Sequence, residues 1–527
     1  MQPVLIDDCF GWFHSGPNTT KDVAILFCQA AGQDYSNGYR PLRVLADALA
    51  RDGYPVLRFD YPSTGDSGDE IGEDLWCAWR QSVTRGADWL RRVSGANRLL
   101  IAGLRIGASL AALEAAERED VAGLIMFEPI LHLRSFVLQL ATESRLRSHP
   151  PRSNPQPESA GGVTLGELGF SARDVAQMRE TDIARLAFKA KMPAVVFSRS
   201  DSAKLAARLS AWSEQGVTPT FAGFEAFEAL VRPSQHSGEP EIEATMLLDW
   251  LRREIPHGLA RNCVVPLASD LKSRDWEERF VGFGNHGRLA GVFCQPRLTG
   301  NAALLICNSG GNPRHGFARF GVALARQLAK AGIASLRFDF PGLGDSIHLE
   351  NGLDTQSDVF MQDRTTEFSA AIDSLEAMGF QNIAVHGLCS GAFHAVRAAF
   401  ADRRIAALSV INLPWFTLRH EPPGPDSTAR KTLAAFRQRS MAVQLMFSAE
   451  DAGLRQFERH FGVGGCHLAD EPRLKFSVSN AFDHELTERW MQEMAMPEIT
   501  KFLLQCAFLS PDDPMWDGMP GTSSKEK

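Results

Sequence analysis

The 527-residue sequence contains no apolar run approaching the ~18 residues that a membrane-crossing helix requires, so no membrane span is expected. Paired-cysteine spacing is also missing. Nine cysteines (Cys9, Cys28, Cys77, Cys263, Cys294, Cys307, Cys389, Cys466 and Cys506) are scattered, odd in number and free of any C-x-x-C unit, which speaks against a zinc site or a disulfide framework. Neither a metal nor another cofactor is expected. There is no basic excess: 55 Lys and Arg stand against 63 Asp and Glu, a formal net charge of -8, whereas a nucleic-acid binder needs a basic face to neutralise phosphates. The opening "MQPVLIDDCFGWFHSG" carries acids where a secretory leader would be basic, and a cytoplasmic location is the expectation.

What is present is an ordinary globular composition, 44% hydrophobic and 22% charged, in a chain long enough for two or more cores. A repeat supplies the division. "LRFDYPSTGDS" at Leu57 to Ser67 and "LRFDFPGLGDS" at Leu336 to Ser346 are identical at eight of eleven positions, and "LADALARDG" and "LARQLAKAG" precede them at the same offset. Each half then alternates short apolar segments with amphipathic ones, the pattern of a parallel sheet covered by helices on both faces. In the first half the predicted strands are "VAILFC", "YPVLRFDY", "RLLIAG", "GLIMFEP", "PAVVFSRSD" and "TPTFAGF". In the second they are "ALLICNS", "ASLRFDF", "NIAVHG", "ALSVINLP", "AVQLMFSAED" and "LKFSVSN". Hairpin-like segments open both halves.

The expected organisation is an α/β domain over 1–258 with a cap at 131–191, a second over 259–510 with a short cap at 415–440, and a polar tail at 511–527. The larger cap includes the Pro/Ser-rich "SHPPRSNPQPESAGG", where a long loop is expected.

"IAVHGLCSGAFHAVRAAF" in the second half runs a strand through Gly387-Leu388-Cys389-Ser390-Gly391 into a helix. Such a turn presents its central residue as a nucleophile, and small flanking residues let helix and strand approach. A thiol there gains reactivity from the helix N-terminus and from a histidine. Nucleophile, acid and histidine follow one another in that chain order. Asp451 is the preferred acid, with Glu450 beside it as a substitute, and His484 in "FSVSNAFDHEL" fills the histidine station. Backbone donors for an oxyanion would be the N–H groups of Ser390 and Gly310, the latter in "CNSGGNPRHG" with Ser309 and Gly311 as neighbours. The bland readings are a small buried hydrophobe for Cys389 and a helix cap at Asp483 with His484 on the surface. His386, His394 and His315 read as structural or substrate-lining.

"LLIAGLRIGASLAALEAA" in the first half has Arg105 in the nucleophile position, and a guanidinium stays protonated and cannot attack a carbonyl. Asp201 keeps the acid station, but the later His236 lies in a polar loop. Arg105 either anchors a carboxylate or phosphate of a substrate or bridges to Asp60 or Asp66. Asp60 and Asp339, in the repeated turns, read as fold determinants.

Together these motifs resemble the α/β-hydrolase superfamily, twice over nearly the whole chain. The second half is similar to its cysteine-nucleophile members, such as dienelactone hydrolases and polyhydroxyalkanoate synthases. "GLCSGAFHAV" followed by "INLPWF" resembles one of two hydrolase types encoded beside exosortase in exopolysaccharide loci. "GLRIGASLAALEAA" followed by "MFEPI" resembles the other type, which also has arginine at the elbow. The resemblance implies two tandem α/β-hydrolase-like domains, the first without a nucleophile. From the site itself, a thioacyl intermediate on Cys389, with His484 and Asp451 completing the triad, suits an acyl-thioester carried by coenzyme A or a carrier protein, by hydrolysis or acyl transfer. An ester or lactone hydrolase, a Dieckmann-type cyclase and a non-catalytic scaffold or ligand-binding protein remain alternatives.

Overall fold

The computed structural model describes residues 1–16, 20–69, 74–147, 161–230, 239–259, 266, 270–298, 300–347, 349–350, 353–354, 360, 362–416, 421–468, 471 and 473–508. The chain forms two compact units, Met1–Leu271 and Lys272–Lys527.

In the first unit the strands are β1 (Gln2–Ile6), β2 (Cys9–His14), β3 (Val23–Cys28), β4 (Val56–Phe59), β5 (Arg98–Leu104), β6 (Val121–Phe127), a small antiparallel hairpin of β7 (Val163–Leu165) and β8 (Leu168–Phe170), then β9 (Met192–Ser198) and β10 (Val217–Gly223). Apart from that hairpin they form one sheet in the order β1-β2-β4-β3-β5-β6-β9-β10. It is antiparallel through β1, β2 and β4 and parallel from there on. Because side chains alternate along a strand, the apolar run of β3 feeds both faces. Ala24, Leu26 and Cys28 join one core cluster, while Val23, Ile25 and Phe27 join the other. A strand covered on both sides has no polar face to offer water, which is why "VAILFC" shows no alternation.

The division falls within β11 (Leu271–Lys272), and the second unit continues with β12 (Trp276–Phe283), β13 (Leu289–Pro296), β14 (Ala302–Ile306), β15 (Ala334–Phe338), the two-residue pair β16 (Leu349–Glu350) and β17 (Leu353–Asp354), β18 (Asn382–Leu388), β19 (Ile405–Ile411), β20 (Ala442–Ser448) and β21 (Leu474–Ser479). Its main sheet runs β11-β12-β13-β15-β14-β18-β19-β20-β21, again parallel from β15 onward. All the strand segments predicted from sequence are strands, and the opening hairpins are β1–β2 and β12–β13. The register of β5 on β6 shifts between Leu99 and Leu100, and that of β18 on β19 shifts between Ile383 and Ala384, the corresponding place.

The repeated motif makes the same bonds twice. Asp60 Oδ2 accepts from the Asp66 N–H (3.1 Å), and Asp339 Oδ2 from the Asp345 N–H (3.0 Å). Ser67 and Ser346 each donate to the carbonyl of their aspartate (2.7 and 2.6 Å) and accept from the neighbouring strand at Phe10 N–H and Ala290 N–H. The preceding arginines, Arg58 and Arg337, are fully buried, and a buried guanidinium needs a partner. In the first unit Arg58 Nε donates to His14 Nε2 (3.0 Å), and His14 Nδ1 donates to Asp47 (2.6 Å). In the second, Arg337 and Arg326 converge on Glu278 at 2.6 and 2.7 Å.

Between β6 and β9 lie the helices Leu133–Arg147 and Ala172–Glu180 with the β7–β8 hairpin; most of the Pro/Ser-rich stretch, 148–160, and His236 fall outside the described residues. Between β19 and β20 lies the helix Thr428–Gln438, while 417–420 and the tail 511–527 are likewise outside. No helix among the described residues is long and apolar enough to cross a membrane.

Candidate active site

Strand β18 ends at Leu388, and the helix Ser390–Ala401 begins two residues later. The single residue between them, Cys389, has φ 54 and ψ -120, a left-handed backbone that costs a non-glycine residue on the order of 1–3 kcal/mol. Its N–H is tied to the Ile411 carbonyl at the end of β19 (3.1 Å). The flanking glycines are required by distance. A Cβ on Gly387 would stand 2.3 Å from the Gly391 backbone, and one on Gly391 would stand 2.3 Å from the Asn308 carbonyl. Cys389 is thereby lifted out of the sheet with its side chain partly accessible.

Asp451 follows β20 as the N-cap of the helix Ala452–Phe461. One carboxylate oxygen accepts from Gly453 N–H (2.7 Å), and the other faces His484 Nδ1 at 2.5 Å. Asp451 is buried, its side chain 3% exposed, while that of His484 is 44% exposed, so the carboxylate is fixed and the imidazole reaches outward. Hydrogen bonds to Asp451 and then to Cys389 raise His484 to about 10, against the opposing effect of burial. Glu450 is exposed, and its carbonyl accepts from Arg455. Asp483 accepts from Glu485 N–H (3.2 Å) and Thr487 N–H (3.0 Å), holding the turn that follows His484.

Sequence reasoning missed Asn412. This buried residue follows β19 with φ 50, and its side-chain NH2 donates to Ser448 Oγ (2.9 Å) and to the carbonyls of His484 (2.9 Å) and Asp483 (3.3 Å). Its oxygen accepts from Ser448 N–H (2.7 Å). One amide thus joins the end of the strand leading to the acid to the loop carrying the histidine. Asn tolerates left-handed backbone, but one Asn in "INLP" is no signal of such a role in a sequence.

Gly310 lies in the loop after β14, a loop moored to the repeated turn: Arg314 N–H and Nη1 donate to Asp339 at 2.6 and 2.7 Å, and Asn308 Oδ1 accepts from Phe340 N–H (2.7 Å). The Gly310 N–H donates to Ser390 Oγ at 2.7 Å. His386 is fully buried, bonded to Ser409 and pushed down to about 3 by burial, and His394 packs among Phe340 and Phe393. His315 is buried and bonded to the Gly316 carbonyl.

The corresponding turn of the first unit has the same geometry, with Arg105 at φ 56 and ψ -118 and its N–H on the Phe127 carbonyl (2.9 Å). Its side chain does not reach Asp60 or Asp66 as one expectation had it. Arg105 Nε bonds Asp34 at 3.1 Å, because Asp34 sits in the first turn of the helix after β3, beside the elbow, whereas Asp60 is taken up within its own turn and by Tyr35 O–H. Asp201 caps the short helix Ser202–Arg208 and faces solvent. Among the described residues no group of three His, Cys, Asp or Glu side chains is placed to hold a metal.

Each unit is thus an α/β fold, a mostly parallel sheet flanked by helices. Residues 304–521 match the model of the Alpha/beta hydrolase family. No curated protein sequence matches the chain. Similar solved structures include the Pyrococcus furiosus esterase Pf2001 (15% identity, covering 49% of this chain and 90% of that one, TM-score 0.33). Others are Est1E of Butyrivibrio proteoclasticus with ferulic acid bound (12%, 48% and 99%, TM-score 0.35) and a cold-adapted esterase from an Arctic intertidal metagenomic library (17%, 44% and 97%, TM-score 0.30).

Proposed function

We propose that the second unit is an acyl-thioester hydrolase or acyltransferase working through Cys389. The observation that carries this reading is the constellation at the end of the parallel strands: a cysteine on a strained strand-to-helix turn, next to an imidazole that a buried carboxylate orients at 2.5 Å. Cys389 Sγ attacks the acyl carbonyl with its proton held on His484, and His484 passes that proton to the departing thiolate. The acyl group is then held as a thioester on Cys389. Water, an amine or another nucleophile next loses a proton to His484 and takes the acyl group away. Asp451 keeps the Nδ1 proton in place, so that Nε2 is the atom that exchanges protons. Developing negative charge on the carbonyl oxygen is met at the start of the helix Ser390–Ala401.

A cysteine nucleophile favours thioester substrates, since a thioacyl enzyme is exchanged with them at little cost in bond energy. The likeness of "GLCSGAFHAV" and "INLPWF" to a hydrolase type encoded beside exosortase fits a place in biosynthesis. The first unit, with arginine paired to Asp34 at the elbow, takes no part as a nucleophile. Incubation of the full chain and of Cys389→Ala with acyl-coenzyme A thioesters, read by intact-protein mass, tests the proposal. An acyl mass gain on the unaltered chain alone, lost on adding water or amine over time, is the expected result. Equal labelling or turnover by Cys389→Ala overturns it.

A further inference from the structure

The bond between Gly310 and Ser390 changes what the oxyanion site consists of. Ser390 is the first residue of its helix, adjacent to Cys389, and only 2% exposed. Its Oγ accepts the Gly310 N–H at 2.7 Å, so that donor is engaged. The hydroxyl has its own proton to place, and among the described residues it donates no hydrogen bond. A buried hydroxyl that accepts and does not donate is uncommon, because nearly every buried polar group finds its partners. The helix start adds a second open donor, the Ser390 N–H, which has no carbonyl one turn earlier within the helix.

We propose that the Ser390 hydroxyl is itself an oxyanion donor, so that one residue supplies both an N–H and an O–H to the carbonyl oxygen while Gly310 N–H polarises the hydroxyl from behind. No proton is transferred from Ser390; it donates a hydrogen bond that strengthens as the carbonyl oxygen gains charge. Accepting the Gly310 N–H makes the O–H a better donor, since linked hydrogen bonds polarise one another. Gly310 then acts through Ser390 as a positioning residue. The inference rests on Cys389 being the acylated nucleophile.

The test compares the unaltered chain, Ser390→Ala and Ser390→Thr in two reactions: acylation of Cys389 by acetyl-coenzyme A and by p-nitrophenyl acetate, and alkylation of Cys389 by iodoacetamide. Alkylation passes through no oxyanion. Ser390→Ala is expected to acylate about 100- to 1000-fold more slowly, the usual loss for one oxyanion donor, with alkylation unchanged and Ser390→Thr restoring most of the rate. Acylation by Ser390→Ala at the unaltered rate or faster overturns the proposal, the hydroxyl then being idle or an obstruction. An equal fall in alkylation also overturns it, as the elbow itself would be disturbed. If the unaltered chain acylates with neither probe, the nucleophile reading fails first and this inference with it, an outcome recognisable before any variant is compared.

Discussion

His484 sits between two groups that both favour its charged form, and its titration is where the site can be read in solution. With its pKa raised to about 10 from an ordinary 6.5, the imidazole stays protonated throughout the neutral range and can balance negative charge on the Cys389 sulfur. The alkaline limb of turnover is expected near pH 10. Asp451→Asn, which removes the largest cause of the shift, is expected to bring that limb down towards pH 6.5 and to lower the rate; a histidine NMR titration of both proteins checks it. The same pair contributes stability fully below pH 6.5, and this is lost as pH rises through about 10. Residue types and their order made Cys389, Asp451 and His484 legible in the sequence, because the elbow imposes a chain order. Asn412 and the Ser390–Gly310 bond were not legible: each depends on which atom of a small polar side chain meets which backbone group, and spacing does not encode that.

At the scale of the element, the elbow is a close approach of helix to strand that two glycines permit. Gly391→Ala places a methyl 2.3 Å from the Asn308 carbonyl, so either the helix Ser390–Ala401 or the β14 loop must move. A loss of more than about 1 kcal/mol in denaturant unfolding and slower iodoacetamide alkylation of Cys389 are expected. Asn412→Gly keeps the left-handed backbone but deletes the amide bridging Ser448 and the His484 loop. It is expected to cost about 1–3 kcal/mol, with imidazole motion increased in NMR relaxation, and unchanged stability would show the bridge to be idle. The strands themselves were readable because a sheet covered on both faces leaves continuous apolar runs between helical segments. The Arg105–Asp34 pair was not, since Asp34 is brought to the elbow only by the turn after β3.

The whole molecule repeats one frame with different chemistry at its elbow. The core clusters each draw on a single unit: two lie within Val4 to Ile255, and one lies within Phe283 to Phe461. Two calorimetric transitions are therefore expected. Truncating the fully buried Trp79 of the first unit to alanine should lower one of them by about 3–5 kcal/mol, with acylation at Cys389 retained; loss of both transitions together would contradict this. The repeat was visible because the side chains of "RFD-P--GDS" make the same bonds in both units.

The buried arginines of β4 and β15 rest on different supports, and acid should tell them apart. His14 is held neutral, pushed down to about 4 by burial, whereas the guanidinium pair of the second unit rests on Glu278, held below its ordinary range by those arginines and bonded to them. Unfolded histidine takes up its proton near pH 6.5, so the first unit loses stability across the window from 6.5 to about 4. Glu278 yields only at pH values below about 4.5. On mild acidification the support of Arg58 should therefore give way while that of Arg337 holds, and His386, pushed down to about 3 by burial, weakens the second unit from 6.5 downward as well, so both halves soften in acid but only one loses the prop under its arginine.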